Sequence, residues 1–71
     1  MIRRVGRLVY ADLGTGGWLL VEDDGGRTQL LGDVPRQWDG RRVVVHGHPR
    51  DAYGLFMGGD SVVEIEEIVE E

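Results

Sequence analysis

The chain is expected to be all-β: a small five-stranded OB-like Greek-key barrel with one short helical turn between strands 3 and 4. Three observations predict this. Five short apolar or alternating runs are separated by breaks rich in glycine, aspartate and proline. The stretch from Leu30 to Gly47 reads as a strand end, a short turn of helix, a glycine corner and a β-branched strand, a connector suited to an OB-type barrel. Finally, 71 residues hold one domain, residues 1–71, with no cysteine to staple it, so a single apolar core must stabilise the fold.

Ile2 to Tyr10 alternates as a first strand, and Gly6 marks where it bends from one sheet to the other. Ala11 to Gly17 is a glycine-rich loop. Trp18 to Glu22 is a nearly continuous apolar run and so a core strand. Asp23-Asp-Gly-Gly26 is a hairpin turn, Asp-Gly supplying the positive φ angles of a tight reversal, and Arg27 to Leu31 is the third strand. Asp33 is the expected N-cap of a helical turn over Val34 to Trp38, with Pro35 near its first position. Trp38 is expected to plug one end of the barrel. After Asp39-Gly40, Arg41 to His48 forms the fourth strand, Pro49 to Asp60 a long loop, and Ser61 to about Glu66 the fifth strand. In the tail, Val63 and Ile65 alternate as a strand, whereas Ile65, Ile68 and Val69 fall at helical spacing. The reading there is one turn of helix or a bulge. An SH3-like barrel is the competing fold, and strand order separates the two.

Several function classes are disfavoured. The net charge of −5 argues against general nucleic-acid binding, which depends on neutralising phosphates. No apolar run approaches membrane-spanning length, and the basic start has no apolar segment behind it, so a cytoplasmic protein with no membrane partner is expected. Ser61 is not in a nucleophile-elbow context, and Gly14-Thr15-Gly16-Gly17 lacks the lysine and helix of a phosphate-binding loop. The carboxylates are spread over turns and an acidic tail. The chain is read as not an enzyme, without cofactor.

The motifs Gly17-Trp18-Leu19-Leu20, Leu31-Gly32-Asp33-Val34-Pro35, Gly40-Arg-Arg-Val43-Val-Val45-His-Gly47 and Phe56-Met57-Gly58 give the whole chain its resemblance to small bacterial OB-fold domains of unknown function. What the resemblance implies is a fold, with no catalytic residues to carry over.

In OB barrels ligands lie across strands two and three, flanked by the loops corresponding here to Ala11–Gly17 and Pro49–Asp60. The candidate ligand-binding residues are therefore Trp18, Arg50, Tyr53 and Phe56. Each has an ordinary structural alternative: Trp18 as a core or rim residue, Phe56 and Met57 as closure of the barrel end. Arg3, Arg4 and Arg7 would border Arg41 and Arg42, giving either a basic seam for phosphate or cross-strand pairs with Glu64 and Glu66. His46 and His48 share a strand face near Asp51, but two histidines so spaced recur by chance, and no metal site is expected. The expected ligand is a protein or a second copy of the chain. Single-stranded nucleic acid, through the strand 2–3 face and the 49–60 loop, is the alternative.

Overall fold

The computed structural model describes residues 1–11, 17–51 and 61–71. Its strands are β1 (Ile2–Ala11), β2 (Gly17–Glu22), β3 (Arg27–Leu31), β4 (Arg42–Arg50) and β5 (Ser61–Glu70), with a 3-10 turn at Arg36–Trp38 between β3 and β4. They close into a barrel in the order β1-β2-β3-β5-β4, with β4 returning to β1. The β3–β5 contact is parallel and every other pair is antiparallel. Consecutive strands β3 and β4 are not neighbours, so the expected five-stranded closed barrel is present with β5 inserted between them.

Period-two alternation places the core. Leu8, Leu20, Val43, Val45 and Val63 point inward and are almost completely buried, with Trp18, Leu30 and Val34 completing the cluster. Burying each such side chain stabilises the fold by about 1.5–3 kcal/mol. Thr28 is also fully buried, and its hydroxyl meets that of Ser61 at 3.0 Å across the parallel seam. That bond removes the penalty an unpaired buried hydroxyl would carry.

Gly6 acts as the sequence suggests. It pairs with Glu22 of β2 and Val43 of β4, so β1 serves both sheets at this point. A Cβ here would run into the Val21 carbonyl. The β2–β3 turn is a three-residue loop, not the tight two-residue form. Gly25 N–H donates to the Glu22 carbonyl at 2.9 Å and Glu22 N–H to the Gly26 carbonyl at 2.8 Å, with positive φ at Gly25 alone.

The connector corrects two expectations. Its helical part is only Arg36–Trp38, preceded by extended Pro35, and no side chain caps it; Asp33 is exposed. A single 3-10 turn starting this late is out of Asp33's reach. Asp39 is the carboxylate that secures the segment, accepting the Tyr10 backbone N–H at 3.0 Å. Val34 is the buried residue of the connector, while Trp38 is half-buried against the core.

In the tail, the bulge is the alternative that holds, and the strand runs past Glu66. β5 continues to Glu70 with no helical turn, and the register against β4 slips by one residue between His46 and Gly47. His46 faces Glu67 and Gly47 faces Ile65, which leaves Glu66 as the extra residue of a bulge. The slip brings Ile65 and Ile68 onto the same inner face, which is why their spacing looked helical. Gly47 permits the close approach: a Cβ there would collide with the Glu64 carbonyl.

Candidate functional site

Of the four residues expected to form a ligand face, Trp18 and Arg50 lie among the described residues. Trp18 points inward, is 5% exposed, and packs edge-on to Tyr10 with ring centroids 5.1 Å apart. Arg50 lies at the end of β4 and pairs with Glu64 on the outside of the barrel. The two therefore occupy opposite sides of the wall. Tyr53 and Phe56, with Leu55 and Met57, lie outside the described residues.

The arginines of β1 and β4 are adjacent, as expected, with Arg7 opposite Arg42. Their charge is largely taken up by carboxylates. Arg42 bonds Asp23 and Glu71, each at 2.8 Å; Arg41 bonds Glu70 at 2.9 Å, and Arg4 meets Glu22 at 3.4 Å. The partners of Arg41 and Arg42 are Glu70 and Glu71, not Glu64 and Glu66, because β5 runs further than its first six residues. The Arg42 hydrogen bond holds the Asp23 carboxyl below its ordinary pKa of 3.8. Reciprocally, Asp23 and Glu71 push the Arg42 guanidinium upward. Arg7 donates to the Gly40 carbonyl at 2.6 Å, fastening β1 to the connector.

Three features go beyond what the sequence alone placed. Beside the connector, the Arg36 guanidinium lies 3.9 Å from the Tyr10 ring centroid, extending the Tyr10–Trp18 pair into a three-member stack. The signal was present in part: Tyr10 and Trp18 flank the first loop and are direct cross-strand partners.

The second feature is at the bulge. His46 Nδ1 stands 3.7 Å from Glu67 and His48 Nε2 stands 3.5 Å from Glu66. His46 Nδ1 is enclosed and has no hydrogen-bond partner. An open depression of about 510 Å³ is lined here by Met1, His46, Glu66 and Glu67. The histidines share one strand face, as read, but the bulge sends each to a different glutamate. Among the described residues no group of three or more histidine or carboxylate side chains is placed to hold a metal ion.

The third feature is the outer face of β1, β4 and β5. Val5 is opposite Val44, and Val44 opposite Val69, so three valines form a row across three strands. One flanking row is Arg3, His46 and Glu67. The other is Arg7 and Arg42, joined by Glu71 through its ion pair with Arg42. Val5 and Val44 are half-buried, and Val69 is 44% exposed. An apolar line bordered by charge on both sides has the layout of a small protein-contact surface.

Among the described residues no helix is long and apolar enough to cross a membrane. The profile of a protein family of unknown function, DUF5818, matches residues 5–71. No curated protein and no solved structure gives a significant match.

Proposed function

This chain belongs to the DUF5818 family, and because that family's function is unknown we propose, from the barrel's own surface, that it is a non-catalytic protein-binding module working through the outer face of β1, β4 and β5. The observation that carries the reading is the Val5–Val44–Val69 row. These side chains face away from the core, so folding alone does not require them to be apolar. The strand order supports placing the domain among OB-fold proteins, and the cysteine-free sequence supports a cytoplasmic location. The nucleic-acid alternative loses its main motive, since carboxylates occupy Arg4, Arg41, Arg42 and Arg50.

The reading is tested by selecting binders from a random peptide library on the immobilised barrel and mapping them by amide NMR. Shifts centred on Val5, Val44 and Val69, abolished by Val69→Lys, are the expected result. Sedimentation velocity across a concentration series reports whether a second copy occupies the same face. A library that yields no binder to this face, together with salt-sensitive shifts on adding single-stranded oligonucleotides, overturns the reading.

A further inference from the structure

The two halves of β5 have different neighbours. Val62 to Glu64 lies between β3 and β4, but from Ile65 to Glu70 β4 is the sole adjacent strand among the described residues. β3 ends at Leu31, and the chain turns away at Gly32, whose φ of +132° favours glycine. A Cβ at Gly32 would lie 3.4 Å from the Ile65 side chain, which marks where the second neighbour departs.

The hydrogen-bond phase identifies the atoms on this open edge. Glu71 N–H donates to the Arg42 carbonyl at 3.0 Å, so Arg42 and Glu71 form a hydrogen-bonded pair. Antiparallel pairs alternate, so Val44 and Val69 bond next, whereas Val43–Glu70 and Val45–Ile68 are non-bonded pairs. The N–H and C=O groups of Ile68 and Glu70 therefore point away from β4, at the spacing a further strand needs.

We propose that this edge accepts an extended segment of another protein by strand addition, and that the segment has the pattern basic–any–apolar–any–basic. The proposal rests on the reading of the barrel as a protein-binding module and adds the partner's geometry and charge. A strand added beside β5 extends the outer-face rows: an apolar residue continues Val5–Val44–Val69, and basic residues on either side meet Glu67 and Glu71. β5 carries Glu64, Glu66, Glu67 and Glu70 within a chain of net charge −5. A second β5 would set glutamates against glutamates, since like charges directly opposite destabilise a strand pair. The same charge that keeps copies apart selects a basic partner.

The probe is the peptide Thr-Arg-Thr-Val-Thr-Arg-Thr, with a counterpart carrying glutamate in place of arginine. Titration of the basic peptide into the full chain should slow amide exchange at Ile68 and Glu70, and the acidic peptide should not. Glu70→Pro removes an edge donor without removing a β4 bond, and should weaken binding about tenfold. Glu70→Ala, which loses only an exposed ion pair, should stay within about twofold. Should Glu70→Pro fail to fold, the double variant Glu67→Arg with Glu71→Arg provides the decision: it should prefer the acidic peptide. Unchanged exchange at Ile68 and Glu70 under saturating basic peptide overturns the proposal, as does basic preference retained by the charge-reversed variant. If library peptides bind the valine row without protecting those two amides, strand addition falls while the binding module stands. If nothing binds either place, both fall.

Discussion

Within β5, Val62 and Val63 are successive residues and both are buried, at 2% and 1% exposure. Six residues beyond Val63 in the same strand, Val69 is 44% exposed beside exposed Glu70. The first half has strands on both sides, and the second half has one. The difference teaches that a strand's sequence answers to its number of neighbours: the doubly paired half reads as a run of valine, the singly paired half as glutamate broken by inward isoleucines.

Five changes would break or sharpen this contrast. The largest effect is expected for Gly47→Ala, because the new methyl group meets the Glu64 backbone at the boundary between the halves. Denaturant unfolding should show a loss of about 3 kcal/mol, at the upper end for overpacking. Next, Val63→Ala in the doubly paired half should cost about 2 kcal/mol, from lost burial and an unfilled gap. Val69→Ala in the other half should stay within about 0.5 kcal/mol, and equal costs at these two sites would contradict the contrast.

Deletion of Glu66 should cost less than about 1 kcal/mol, because removing the bulged residue leaves Ile65 opposite Gly47 and Ile68 opposite Val45. Amide shifts of Val43 and Val45 should barely move. A collapse of the spectrum would mean that the bulge itself, not the inward isoleucines, sets the register.

The smallest effect concerns what fastens the end of β5 where no second strand does. Arg42 joins Glu71 to Asp23 of the β2–β3 turn. The Asp23 pKa is lowered in the folded chain, so its contribution is present above the ordinary value of 3.8 and is lost as pH falls through the lower folded value. Asp23→Asn should therefore flatten the acid limb of the stability profile below about pH 4, more visibly at low salt than at high. An unchanged acid limb would show that the pair contributes nothing.

Much of the barrel was legible because strand periodicity and turn chemistry agree at the same places. Gly6 bends β1, Gly25 reverses the chain, and Val43 and Val45 alternate inward. The tail stayed open between two readings because Ile65 and Ile68 are three apart, a spacing shared by a helix face and by a strand carrying one bulge; only the pairing with His46 and Gly47 decides between them. Asp33 carries the local signature of a cap, yet Asp39 holds the connector, through a bond to Tyr10 that spans 29 residues. Among the candidate site residues that the structure describes, Trp18 was the least legible. Trp18 as a stacking platform and Trp18 as core differ only in the parity of one strand, and pairing with Leu30 turns it inward.

The parallel seam between β3 and β5 also bears on how the chain reaches this structure. Thr28 and Ser61 meet across 33 residues, so their contact must follow costly closure of a long stretch of chain, whereas the β2–β3 hairpin can form locally. Refolding should be paced by closure of the barrel, and until then β3 and the whole of β5 stand as unsatisfied edges. During that interval the glutamates of β5 serve the nascent chain as repellent spacers, slowing the intermolecular pairing that would otherwise compete with closure.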